Sequence, residues 1–158
     1  MTLLGKADGA SAADGTSYLD IVSFIKAHGS NPRADLLELW RRIVFNMAVS
    51  NTDDHLRNHA FMLDGNGWTL SPLYDENPVP YGDELSLLVD DEDNKISIEL
   101  AILTSCRFGI QKDAAEKMAE EILEIVRDNW EKLAKKYGLS RGQIEYMRPA
   151  FSECYFQK

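Results

Sequence analysis

The chain has 158 residues, 44% hydrophobic and 27% charged, which suits one soluble globular domain and is short for two. Twenty-six acidic against seventeen basic residues give a formal charge of −9 and a pI near 4.8. That balance argues against direct nucleic-acid binding, because neutralising phosphates takes clustered Lys and Arg, while a small anion such as ATP remains compatible with it. The first residues lack the apolar stretch of about 7–15 residues that a secretory signal carries, and no apolar run reaches the ~20 residues needed to span a bilayer. Cys106 and Cys154 are far apart and form no C-x-x-C pair, as expected of reduced thiols. A cytoplasmic protein with no membrane partner is expected.

In chain order, residues 1–16 are rich in Gly, Ala, Ser and Asp and read as a loop or arm. A helix is expected from Ser17 to about His28-Gly29, with Leu19, Ile21, Val22 and Ile25 on one face. Asn31-Pro32 reads as a break. A longer helix is expected from about Ala34, with a broad apolar stripe through Leu36, Leu39, Trp40, Ile43, Val44 and Met47. Arg41 and Arg42 read as its solvated edge.

At Ser50 the side chains turn abruptly polar in S-N-T-D-D-H-L-R-N-H, the signature of a loop. A hairpin follows, with strands around Ala60–Leu63 and Trp68–Leu70 and a turn at Asp64-Gly65-Asn66-Gly67. The next stretch, S-P-L-Y-D-E-N-P-V-P-Y-G, is a proline-rich loop. Residues 83–94 carry six acidic side chains and no basic one and read as a solvated loop. A short strand is expected around Ile96 and Ile98, then a helix from near Glu99 to Arg107-Phe108-Gly109. The strongest helical pattern runs from Lys112 to Tyr137, its stripe formed by Ala115, Met118, Ile122, Ile125, Val126, Trp130 and Leu133, with Gly138 as the stop. A last helix is expected from Ser140, a good N-cap with Gln143 at the capping-box position, to about Phe151.

The polar loop carries the chemistry. Asp53 is followed five residues later by Asn58, then by a hairpin, then by Asp75. A loop carboxylate can accept the proton of an attacking hydroxyl, and an amide oxygen can ligate Mg²⁺ without adding charge. A second carboxylate returning from the hairpin can complete the metal site. Phosphoryl transfer needs this set, and D-x-x-x-x-N followed by a hairpin and an Asp matches the order of kinase catalytic and metal-binding loops. Two other readings stay open. His55 and His59 stand four apart, the spacing of zinc-hydrolase motifs, although Leu56 occupies the place of the Glu base. Alternatively, the domain is a non-catalytic binding module, with the 83–94 segment or the long helix as its surface.

The wording of the segments is more specific than their spacing. F-N-M-A-V-S-N-T-D-D-H-L-R-N-H-A-F and W-T-L-S-P-L-Y-D resemble the C-terminal kinase domain of the HipA family, the serine/threonine-kinase toxins of bacterial toxin–antitoxin pairs. The likeness runs from Ser17 to about Gly138. It implies a mainly α fold with a small β-hairpin, a kinase-like C-terminal lobe over 17–158 with 1–16 as an arm. It also implies ATP and Mg²⁺ as cofactors.

By the same resemblance Asp53 is the catalytic base, and His55, Asn58, Tyr74 and Asp75 face ATP, with Asn58 and Asp75 also ligating Mg²⁺. Asp54 falls where some members have Gly and receives no catalytic role. The family further implies a protein substrate such as glutamyl-tRNA synthetase and a HipB-like helix-turn-helix antitoxin as partner. A complete kinase also needs a glycine-rich loop and a strand-borne Lys. G-K-A-D-G at Gly5–Gly9 supplies neither, so the chain reads as a C-lobe without its N-lobe, inactive by itself.

Overall fold

The computed structural model of the chain describes residues 3–155. Among the described residues are five α-helices, α1 (Tyr18–His28), α2 (Pro32–Ala48), α3 (Ile98–Thr104), α4 (Lys112–Lys136) and α5 (Arg141–Met147), and one antiparallel hairpin, β1 (Phe61–Asp64) with β2 (Gly67–Leu70), whose β2 strand packs against α1 and α2. The mainly helical architecture with a single hairpin agrees with the expectation.

Ser17 starts α1 through a capping box. Its Oγ accepts from the Leu19 N–H at 3.0 Å, and the Asp20 carboxylate returns to the Ser17 N–H at 3.1 Å. α2 is the central helix: Leu39, Trp40, Val44 and Met47 are fully buried, and it packs against α1, α3 and α4. The Trp40 indole donates to the Ala101 carbonyl of α3 at 2.8 Å, so even the buried nitrogen is satisfied.

The break between helices falls before Pro32, and α2 starts two residues earlier than expected: Pro32 takes its first position, where the missing N–H costs nothing, with Asn31 as the cap. Arg42 is not at a solvated edge either. It is 4% exposed, its Nη2 donating to the Ser71 carbonyl at 2.7 Å and its Nε to Glu38 at 2.9 Å.

β1 and β2 pair from Phe61 with Leu70 to Asp64 with Gly67, across a two-residue turn at Gly65-Asn66. The Asp64 carboxylate fixes that turn by accepting the Asn66 N–H at 2.8 Å. Gly67 has φ +148°, and a Cβ there would stand 2.7 Å from the His28 carbonyl. The hairpin therefore sits hard against the end of α1, where the Ser30 N–H also bonds to the Trp68 carbonyl at 2.8 Å.

Three further expectations change. Residues 83–94 are not solvated throughout: Leu85, Leu87 and Val89 are buried in the main core, while Asp91 and Glu92 stay outside. The apolar L-S-L-L-V run outweighs its acidic flanks because its backbone is also paired, with Leu88 N–H on the Thr16 carbonyl and the Ala12 N–H on the Ser86 carbonyl. Those bonds dock part of the 1–16 arm, which contains a 3-10 turn at Ala12–Asp14. Ile96 and Ile98 form no strand; Ser97 caps α3 instead, accepting the Leu100 N–H, and only an isolated bridge joins Glu84 to Lys95. On α4 the core-facing residues are Ala115, Ala119, Val126 and Trp130, whereas Ile125 and Leu133 are exposed.

Ser140 caps α5 with Gln143 as read from sequence. The α-helix ends at Met147 and continues as a 3-10 segment from Arg148 to Tyr155. Pro149 explains the change, since it has no N–H and its ring clashes with the carbonyl four residues back. A second core forms here: Trp130 stacks on Phe151 at 4.3 Å, with Val126, Ile144, Cys154, Ala48 and Val49 around them.

Candidate active site

The site begins where α2 ends. Its last turn offers Asn46, fully buried, and the chain then turns through Ser50 at φ +48°. Asp54 is also fully buried and collects three partners on its carboxylate. The Tyr18 hydroxyl and the Asn46 amide each donate to Oδ2 at 2.6 Å, and His59 Nε2 lies 3.0 Å from Oδ1 and 3.1 Å from Oδ2. Burial, and next the Asp54 charge, push the Tyr18 phenol well above its ordinary range, so it remains a donor. The His59 ring stands edge-on to Tyr18 with centroids 5.7 Å apart. These groups pin the loop to α1 and α2.

Asp53 shows the opposite character. It is exposed, immediately beside the buried Asp54, so one carboxylate fixes the loop and its neighbour faces outward. His55 is partly buried, with Nδ1 enclosed and lacking a hydrogen bond among the described residues. Asn58 closes a 3-10 turn, Leu56–Asn58, its N–H on the His55 carbonyl at 2.9 Å. Asn58 as a whole is 3% exposed.

Asp75 is exposed and adopts φ +62°, an uncommon conformation for a residue other than glycine. Asn77 Nδ2 donates to its Oδ1 at 2.9 Å. The Tyr74 hydroxyl donates to the Arg57 carbonyl at 2.6 Å, tying the Asp75 loop to the turn that carries Asn58. Two more bonds lace the loops together: Asn51 Nδ2 to Glu76 Oε2 at 3.2 Å, and the Val79 N–H to the Ser50 carbonyl at 3.3 Å. Gly82 presses against Thr52, where a Cβ would come within 2.2 Å of Cγ2. Burial, with the Asp54 charge next, raises the Glu76 carboxyl to about 7.

The loop around Asp53 and Asn58 and the loop around Asp75 are thus directly bonded through residues 50, 51, 57, 74, 76 and 79. The sequence reading missed most of the groups that achieve this: Tyr18, Asn46, Asn51 and Glu76. An abrupt buried-type Asn at the end of an apolar helix is the one local signal for Asn46. The histidine pair does not share a helix face. A 3-10 turn separates the two rings, and His59 is committed to Asp54, which removes the geometry a zinc-hydrolase motif requires.

The helical body, the single hairpin and the two laced loops define a kinase-like C-terminal lobe. Comparison with known proteins agrees. A chain in the solved complex of the Shewanella oneidensis MR-1 toxin–antitoxin system HipA, HipB and its operator DNA superposes with a TM-score of 0.73 over 89% of this chain, at 18% identity. The family model described as "HipA-like C-terminal domain" matches residues 1–130, and the chain belongs to that family.

Two curated relatives match shorter stretches. A Haemophilus influenzae protein named "Putative kinase" is 40% identical over 60 residues, and the Sinorhizobium fredii protein "Putative kinase Y4mE" is 31% identical over 61. The matched stretches are 37% and 39% of this chain but 18% and 14% of those proteins, and the structural match covers 35% of the Shewanella chain. The chain therefore corresponds to a fraction of its relatives' length.

Proposed function

We propose that this chain is the catalytic lobe of a HipA-type serine/threonine kinase, which in the complete protein transfers the γ-phosphate of ATP to a protein hydroxyl. The observation that carries the reading is the lacing of two loops, one presenting Asp53 and Asn58 and the other Asp75.

Asp53, exposed and rigidly backed by Asp54, accepts the proton of the attacking Ser or Thr hydroxyl. Asn58 and Asp75 are hard oxygen donors, one neutral and one charged. That is a fitting pair for Mg²⁺, which binds through one or two protein ligands and the substrate phosphates. Mg²⁺, when bound, neutralises charge on the phosphate oxygens. His55, between the base and Asn58, and Tyr74, beside Asp75, face the nucleotide. Holding the two loops in register orients the hydroxyl toward the phosphorus, and such positioning, with electrostatic stabilisation of the phosphates, supplies nearly all of the catalytic effect in phosphoryl transfer.

A HipB-like antitoxin is the proposed partner, supported by the HipA–HipB–DNA complex to which the fold is similar. DNA contact is assigned to that partner, because a chain of charge −9 repels phosphates; this chain alone should give no mobility shift with duplex DNA. The test of the kinase reading is Asp53→Asn in the full-length protein. Loss of at least about a hundredfold in phosphoryl transfer, with ATP binding retained, is the expected result. Transfer at the wild-type rate would end the role of Asp53.

A further inference from the structure

Asn51 lies in the polar S-N-T-D-D-H segment but receives no role from the sequence, yet it is fully buried and uses its amide in two directions. Inward, Nδ2 donates to Asn46 Oδ1 at 3.2 Å; outward, the same nitrogen donates to Glu76 Oε2 at 3.2 Å. Its backbone N–H is fixed on the Asn46 carbonyl at 2.8 Å. Asn46 in turn donates to Asp54 at 2.6 Å. Four side chains, Asp54, Asn46, Asn51 and Glu76, therefore form one hydrogen-bonded relay. Its first member adjoins Asp53 and its last adjoins Asp75.

We propose that Asn51 is a positioning residue that locks the Asp75 loop in register with the Asp53 loop through Glu76. The assignment of Asp53 and Asp75 to the reaction rests on the function proposed above; the mechanical coupling does not. Two features show that the register must be imposed. Ser50 and Asp75, on either side of the joint, both hold positive φ without being glycine, and such conformations persist only when surrounding contacts over-determine them. Glu76 is also kept partly buried near the Asp54 carboxylate, an arrangement that simple packing would avoid. The two amides between the carboxylates, Asn46 and Asn51, let both loop ends share one anchor on α2.

The test is hydrogen–deuterium exchange of the Val79 amide, which donates to the Ser50 carbonyl across the joint at 3.3 Å, together with Mn²⁺ affinity, on wild type, Asn51→Ala, Glu76→Ala, Glu76→Gln and Ile144→Ala. Asn51→Ala and Glu76→Ala should each speed exchange of that amide by about tenfold, because they free the loop locally. They should weaken Mn²⁺ binding in parallel. Glu76→Gln retains an acceptor oxygen and should keep exchange within about twofold of wild type. Ile144→Ala, in the second core, should lower global stability without that local signature.

If Asn51→Ala disturbs folding, the more exposed Glu76→Ala carries the test. Exchange of the Val79 amide unchanged in both alanine variants would overturn the coupling. So would loosening equal to that in Ile144→Ala. Faster exchange in a protein whose wild type binds no Mn²⁺ would uphold the coupling and remove the metal assignment instead.

Discussion

Asp53 and Asp54 are adjacent aspartates in opposite environments, so replacing each by alanine should separate catalysis from stability. Asp54 is fully buried with Tyr18 Oη and Asn46 Nδ2 at 2.6 Å and His59 Nε2 at 3.0 Å. Asp54→Ala removes the common acceptor and strands three buried donors. An unsatisfied buried donor costs about 1–3 kcal/mol, and relaxation or water entry lets the three share the loss. A total of about 3–5 kcal/mol is expected, a large fraction of the 5–15 kcal/mol typical of a domain.

Tyr18→Phe removes one donor and leaves Asp54 two others, for about 1–2 kcal/mol. Asp53→Ala, at an exposed position, should stay within about 0.5 kcal/mol. Urea unfolding followed by tryptophan fluorescence and far-UV circular dichroism gives all three values. An Asp54→Ala variant within about 1 kcal/mol of wild type, at unchanged m-value, would refute the reasoning that this carboxylate anchors the loop.

The close approach of Gly82 to Thr52 predicts a repairable clash. Gly82→Ala should cost about 1–3 kcal/mol, and Thr52→Ser in the same chain, which deletes the obstructing Cγ2, should restore most of it in a double-mutant cycle. The two thiols should differ in reactivity at pH 8. Cys106 is exposed and should react at once with a disulfide reagent. Cys154 is buried, its thiol raised to about 11 chiefly by burial, and should react only on unfolding.

Glu76 gives a pH signature. Its carboxyl rises from the ordinary 4.5 to about 7 on folding, so its contribution is fully present below about 4.5 and is lost as pH rises through 7. In metal-free buffer Glu76→Gln should therefore gain about 1–2 kcal/mol over wild type at pH 8, after allowance for partial exposure, and nothing at pH 4. Urea midpoints at the two pH values read this directly; an equal gain at both would contradict it.

Local chemistry made much of the scaffold legible. Ser17 and Ser140 announce their caps, the Gly65-Asn66 turn announces its hairpin, and Trp40 with its apolar neighbours announces a buried helix. Misreadings arose where a partner distant in sequence decides the outcome. Arg42 looks like a surface cation until the Ser71 carbonyl, 29 residues on, comes to meet it. The L-S-L-L-V run looks like part of an acidic loop until the arm at Ala12 and Thr16 pairs with it. Ile125 and Leu133 satisfy a helical stripe, yet both stay exposed.

The candidate site follows the same rule. Asp53, Asn58 and Asp75 are legible from spacing and wording, whereas Tyr18, Asn46, Asn51 and Glu76 act through contacts that no local pattern encodes. Asp54 is the clearest case. Sequence assigned it no role, and the structure makes it the anchor of the loop.

The central claim is that Asn58 and Asp75 form one metal-binding pair on the laced loops. Titration of this chain with Mn²⁺, read by electron paramagnetic resonance with circular dichroism checking each fold, addresses it most directly. Asn58→Ala and Asp75→Asn should each weaken binding by about tenfold or more, while His55→Ala leaves it largely intact. Binding that survives the first two substitutions, or that disappears with His55, would contradict the account.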